Sequence, residues 1–213
     1  MLFVKILRRL AGRQPRVQDE EEYFVSAVLV PLVETAGKLH LLFEVRSNHL
    51  QRQPGEICFP GGRVEQGELA SPQDTAIREA VEELGISREQ VVLLGPLDYL
   101  VTPPGTLIYP YVGLIEEYKG VNPNPEEVEK IFLAPLEHFF RNPPFTSKVE
   151  VATRYARDFP YHRVPSLYYK EGWQARWTFT VYFYEYGDYF IWGVTARILH
   201  NFISLCLSDH AAG

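Results

Sequence analysis

The segment that most restricts what this chain can fold into runs from Gly62 to Ile86, GRVEQGELASPQDTAIREAVEELGI. It is a glycine turn followed by a helix-forming stretch that carries Glu79, Glu82 and Glu83. On a helix turning about 100° per residue, Glu82 falls about 60° to one side of Glu79 and Glu83 about 40° to the other, so the acids share one stripe. Ile77, Ala80, Val81 and Leu84 form a second stripe roughly opposite, which must be buried against other structure. On a bare surface the like charges would repel by roughly several tenths of a kcal/mol per pair, so the grouping points to a divalent cation as counter-charge. Oxygen-only donors favour Mg2+ or Mn2+.

The ends of this helix are also marked. Ser71 is read as its N-cap, Pro72 suits the first helical position, Asp74 stands where a capping-box acid would reach back, and Gly85 follows as a C-terminal cap, giving a helix over Pro72 to Leu84. Arg78 lies beside Glu79 and four residues before Glu82, which suits it to orienting a carboxylate rather than touching substrate. A solvated acidic face is the ordinary reading of an isolated Glu-Glu pair. The glycine turn ahead of this one argues against it.

The segment resembles the signature of the Nudix hydrolases. Gly62 and Glu68 have the expected spacing, and Arg78, Glu79, Glu82, Glu83, Gly85 and Ile86 match its second half. Between Glu68 and Arg78 the chain departs from the pattern: two extra residues fall beside Ser71 and Pro72, in the loop before the helix, where insertions cost little. The resemblance implies an α/β/α sandwich with a mixed β-sheet and metal-dependent cleavage of a diphosphate bond. Glu79 and Glu83 would be direct ligands, Glu82 a ligand or base-like helper, and the Gly62 carbonyl a further ligand. A more distant acid would complete the set, with Glu127 the first candidate and Glu126 the second.

Upstream, LLFEVRSNHLQRQPGEICFPGG is similar to the second motif of the coenzyme A pyrophosphatase branch of that superfamily, with Arg46, Ser47, Gly55, Phe59, Pro60, Gly61 and Gly62 in register. Gln51 replaces a spaced arginine, with Arg52 one residue later, and Phe43 and Glu44 replace the usual Leu-Thr. Arg46, His49 and Arg52 concentrate cationic or protonatable groups before the glycine turn, and guanidinium groups bind phosphate oxygens as a fork. Each could equally be a surface cation. At Gly61 and Gly62 the backbone can approach a ligand closely. The stretches LDYLVTPPGTLIYPYVGLI, NPEEVEKIFLAPLEHFF and YFIWGVTARIL are also similar to that branch, so the resemblance spans roughly residues 25 to 205.

With 213 residues, 46% of them hydrophobic, the chain can bury one good core, and the organisation expected is a basic N-terminal segment and linker over 1–22 and a single domain over 23–213. A net charge of −6 argues against a nucleic-acid platform. Cys58 and Cys206 sit in apolar stretches, the usage of a reducing compartment, and are read as core thiols in a cytoplasmic protein. The first residues, MLFVKILRRLAGRQPRV, have no acid and place Leu2, Phe3, Ile6, Leu7 and Leu10 at helical spacing, ended by Pro15. Packing or dimerisation is the favoured reading of this helix, ahead of a membrane-surface contact or organelle targeting.

Strands are expected over Phe24–Val33 and Leu39–Arg46, joined as a hairpin through Thr35-Ala36-Gly37, and over Glu56–Phe59, Val91–Tyr99, Leu107–Ile115, Ile131–Leu133 and Trp177–Tyr186. A short Pro135-led helix and a closing helix over Ile191–Leu207 complete the reading. Thr102 to Gly105 is either a plain turn or a loop bordering the site. The aromatic and arginine-rich stretch from Arg141 to Trp173 is read as an oligomer contact in preference to a lid. Three functions remain open: a pyrophosphohydrolase of coenzyme A or its thioesters, favoured; one acting on ADP-ribose or another nucleoside diphosphate derivative; and a non-catalytic nucleotide-binding regulatory module.

Overall fold

The computed structural model describes residues 2–13, 17–65, 67–69, 71–165 and 168–208; Pro15, expected to end the first helix, lies outside them. In chain order the helices and strands are α1 (Leu2–Leu10), β1 (Phe24–Thr35), β2 (Lys38–Arg46), β3 (Ile57–Cys58), β4 (Gly61–Arg63), α2 (Pro72–Leu84), β5 (Val91–Pro96), β6 (Leu100–Val101), β7 (Thr106–Ile115), β8 (Val128–Pro135), α3 (Leu136–Arg141), β9 (Phe145–Thr153), β10 (Gln174–Tyr186), β11 (Tyr189–Ile191) and α4 (Gly193–Leu207).

β1 is the spine. It pairs in parallel with β7 over Phe24–Val33 and antiparallel with β2 and β4, while β8 and β3 add to β2 and β5 and β6 add to β7. Alternation along β1 explains the layers. Val25, Ala27, Leu29 and Val33 pack with Ala76, Ile77, Ala80 and Leu84 of α2, whereas Val30 and Leu32 pack on the other face with Ile198, Leu199 and Phe202 of α4. The result is an α/β fold, a mixed sheet between helices as expected. β9, β10 and β11 form a separate antiparallel sheet whose Tyr184 and Ile191 join the α4 core.

Several sequence expectations change. Ser71, with φ −143° and ψ 66°, lies outside the usual N-cap conformation and makes no side-chain cap to α2; its carbonyl accepts the Asp74 N–H at 2.9 Å. Ile191 belongs to a strand, since it pairs with Tyr184, and α4 begins after it at Gly193. The Ile131–Leu133 strand is extended to Val128–Pro135 by pairing with β2. Cys206 is exposed near the end of α4 rather than in the core. The stretch read as a linker is tied down at Glu20, which is buried and accepts a hydrogen bond from the Tyr109 hydroxyl. α1 ends at Leu10 and buries none of its residues, so within this chain it is not a packing arm. No helix among the described residues is long and apolar enough to cross a membrane.

The C-terminal end of α2 positions the rest of the site. Gly85 adopts the left-handed conformation, φ 61°, and donates its N–H to Val81. The loop after β7 supplies further caps: Asn122 N–H donates to the Leu84 carbonyl at 3.0 Å and Asn124 N–H to the Glu83 carbonyl at 2.9 Å. A Cβ on residue 85 would collide with the Asn122 carbonyl, so this approach requires glycine. Gly85→Ala should therefore lower the unfolding free energy by about 2 kcal/mol or more, read from urea denaturation; a loss below about 0.5 kcal/mol would show that the cap is not tight.

Candidate metal and phosphate site

α2 presents its acids to the backbone of β4. The Gly61 N–H donates to Glu83 Oε2 at 2.8 Å, and a side chain at Gly62 would overlap the Glu79 carboxyl group. These glycines thus leave room for carboxylates as well as for ligand. Glu83 is only 8% exposed. Glu79 is half-buried and paired through Oε1 with Arg78 Nη1 at 2.9 Å. Glu82 lies further out, its carboxylate 55% exposed and 3.4 Å from the same guanidinium, so the structure sets it at the rim of the group rather than in it.

Arg78 organises this face. Besides Glu79 and Glu82 it binds Glu68, through Nε to Oε1 at 3.3 Å and Nη2 to Oε2 at 3.4 Å, and Glu68 also accepts the Thr75 hydroxyl at 2.8 Å. Despite the longer loop, Glu68 reaches the first turns of α2 and supplies the side-chain anchoring that Ser71 does not. The Thr75 hydroxyl, the Arg78 hydrogen bonds and the Glu65 N–H together hold the Glu68 carboxyl below its usual range.

Glu127 is brought to Glu83 by the capping loop. Asn124 binds Glu83 through its backbone and Glu127 Oε2 through its side chain, at 3.1 Å, while the Glu127 carbonyl accepts the Ser47 N–H at 2.9 Å. Glu126 is tied by its own N–H to the Asn124 side chain. The electrostatics single out Glu127, whose charge acts on Glu44, Glu79 and Glu83.

Burial pushes the Glu83 carboxyl up to about 8, the Gly61 N–H opposing and the charges of Glu79 and Glu127 adding to the rise. Glu79 is raised in the same direction, first by burial, with Arg78 opposing. A group of acids that resists ionisation for want of positive charge, and offers only hard oxygen donors, fits a divalent cation. Among the described residues no set of three acids, histidines or cysteines is already drawn together into a cage. The Arg78 and Gly61 contacts hold the carboxylates instead.

The sequence missed Glu44. It is 1% exposed, and its carboxyl is raised well above the ordinary range by burial first and by Glu83 second, with Arg46 opposing. Its replacement of a threonine in the motif was the available signal, but only the tertiary structure shows it beside α2.

A cleft of about 860 Å³ opens on the α4 side of the sheet; Arg46 lines it, as do Gly61 and Gly62, the glycines against which Glu83 and Glu79 are set. Its lining mixes the cations Arg46, Arg52, Arg63 and Arg197 and the Thr102–Pro104 loop with apolar side chains, among them Val149, Phe179 and Trp192, and Arg197 lies over the Phe179 ring at 5.9 Å. Of the cationic candidates, Arg46 and Arg52 line the cleft; His49 does not, lying exposed with its N–H on Ser47 Oγ at 3.4 Å. The stretch from Arg141 to Trp173 divides: Val149 of β9 faces the cleft, while Tyr155, Phe159, Tyr161 and Tyr169 stack on one another outside it.

A family model described as NUDIX domain matches residues 23–178. The peroxisomal coenzyme A diphosphatase NUDT7 of Mus musculus is 39% identical over 136 residues, 64% of this chain and 56% of that protein, so the match spans little more than half of the relative's length. NudL of Photorhabdus laumondii, named only as a Nudix hydrolase, is 34% identical over 191 residues, 87% of this chain and 86% of that protein. A crystal structure of a C. elegans Ap4A hydrolase binary complex is 23% identical with a TM-score of 0.46, covering 55% of this chain and 83% of that one.

The raised Glu83 carboxyl sets a pH dependence. Below about 4.5 it is protonated folded and unfolded, and the stability linked to its bound proton is fully present; between 4.5 and about 8 only the unfolded chain releases the proton, so that stability is lost as pH rises. Metal-free protein should therefore lose unfolding temperature between pH 5 and 8, with a smaller loss in Glu83→Gln. Equal slopes for parent and variant in calorimetry would show that Glu83 is not the group responsible.

Proposed function

This chain belongs to the Nudix hydrolase family and is a pyrophosphohydrolase, and we propose that its substrate is coenzyme A or acyl-coenzyme A, cut at the diphosphate to give adenosine 3′,5′-bisphosphate and (acyl-)phosphopantetheine. The observation that carries this reading is Arg46, whose charge acts on Glu83 while it lines a cleft that holds Arg52, Arg63 and Arg197 together with apolar Val149, Phe179 and Trp192. Such a cleft suits a ligand that is phosphate-rich at one end and a long thin chain at the other. Two relatives support it by name, the mouse NUDT7 and the C. elegans protein ndx-8, both peroxisomal coenzyme A diphosphatases.

In this reading Glu79, Glu83, Glu127 and the Gly62 carbonyl hold the Mg2+ or Mn2+, with Glu82 at the rim. A divalent cation, when bound, offsets the negative charge that shields a diphosphate from water and acidifies a coordinated water. Arg78 acts through Glu79, holding one carboxylate oxygen so that the other is presented to the site. Arg46 and Arg52 take phosphate oxygens, and Gly61 and Gly62 admit the diphosphate against the backbone. Val149, Phe179 and Trp192 keep water from the pantetheine or acyl chain.

Turnover of coenzyme A, an acyl-coenzyme A, ADP-ribose and diadenosine polyphosphates should be compared with and without each metal. Coenzyme A or its thioester should give the highest kcat/KM, and only with metal; preference for ADP-ribose would sink the substrate assignment. Glu83→Gln should lower kcat at least about a hundredfold with the circular dichroism unchanged. A variant as active as the parent would remove Glu83 as a ligand.

A further inference from the structure

β2 alternates cleanly across the sheet. Leu41 and Phe43 enter the core beneath α4, and Leu42 enters the core beneath α2. By the same alternation Glu44 projects toward α2, the layer that carries Glu79 and Glu83. Its strand neighbours are Ile131 of β8 and Cys58 of β3, so it is enclosed on both sides.

This carboxylate is not satisfied by the protein. Oε2 accepts the Cys58 thiol at 3.8 Å, a weak donor, and Oε1 has no hydrogen-bond partner although the residue is 1% exposed. Ionised, Glu44 lacks a donor at Oε1; protonated there, it lacks an acceptor. The nearby ionisable groups are the Glu83 and Glu127 carboxyls, which both disfavour ionisation of Glu44, and the Arg46 guanidinium, whose own Nε is buried without a partner. A threonine, the usual residue at this place in the related motif, would carry no charge into this layer. The substitution therefore puts a further hard oxygen donor beside the acids of α2.

We propose that Glu44 Oε1 is a ligand of the divalent cation held by Glu83 and Glu127, an oxygen donor contributed by the central sheet rather than by α2 or its capping loop. The inference rests on the metal reading of the site. Coordination satisfies a buried oxygen for which the described residues provide no hydrogen bond, and it adds negative charge where a cation must be drawn out of water.

The test is Mn2+ binding to the full chain in the absence of substrate, followed by titration calorimetry and by the electron paramagnetic resonance of free Mn2+. Glu44→Gln keeps the shape, Glu44→Thr restores the residue usual in the motif, and Glu44→Asp keeps the charge but withdraws the oxygen. All three should weaken Mn2+ binding at least about tenfold, while the metal-free unfolding temperatures of the Gln and Thr variants are no lower than the parent's. Parent-like affinity in either folded neutral variant would overturn the proposal. Parent-like affinity in Glu44→Asp would also overturn it, by showing that the charge acts without coordination. Glu83→Gln serves as the control: if it loses Mn2+ while the Glu44 variants do not, the metal site stands and Glu44 is no part of it. If the parent itself binds no Mn2+, the metal reading fails and Glu44 falls with it.

Discussion

The hydrogen bond from the Gly61 backbone to Glu83, with Glu79 pressed against Gly62, is the contact on which the rest of the site depends. It locks a helix to a strand through a charged side chain, where most such contacts are apolar. The approach exists because β4 has no side chains there and because β1 pairs Ala27 with Gly62 and Val28 with Gly61. Remove the glycines and the acids of α2 must move away from the cleft. The apolar stripe of Ala76, Ile77, Ala80 and Leu84 then supplies the force that keeps α2 against the sheet despite the unfavourable burial of Glu83.

That burial has consequences outward from the contact. A carboxylate pushed up to about 8 is a poor structural element and a good cation trap, since a divalent ion satisfies the charge that the fold leaves uncompensated. The same economy governs the end of α2. Its last carbonyls need donors, and the loop that provides Asn122 and Asn124 also delivers Glu127 to the acids. The loop that caps the helix also carries Glu127, the acid proposed to join the site.

The cleft is built on the other side of the sheet from different material. Residues of β9, β10 and the start of α4 line it, so the small second sheet shapes this space. Arg46 bridges the two halves, lining the cleft while its charge is felt by Glu44 and Glu83. In a chain with net charge −6, Arg46, Arg52, Arg63 and Arg197 all line this cleft and give it a local positive character.

Local patterning was enough to read α2, the β1–β2 hairpin, β7 and most of β10, because period and turn chemistry are encoded within a few neighbouring residues. The end of α2 at Gly85 and the stripe of acids were legible for the same reason. What the sequence could not show depended on partners far along the chain. Ile191 reads as helical by period but is held in a strand by Tyr184, and Ser71 looks like a cap although Glu68, reaching over a lengthened loop, does the anchoring. His49 sits beside Arg46 and Arg52 in sequence, yet it is exposed and does not line the cleft. Glu44 could be seen as an oddity in a motif, but its depth, its bare oxygen and its nearness to Glu83 arise only when β2, β3, β8 and α2 are stacked. The sequence by itself marked the acids of α2 as cation candidates, since that follows from side-chain chemistry and helical spacing, but it did not mark Glu44. Only the tertiary structure decided which of them are desolvated and face one another, because burial and electrostatic coupling belong to the packed arrangement and not to the chain.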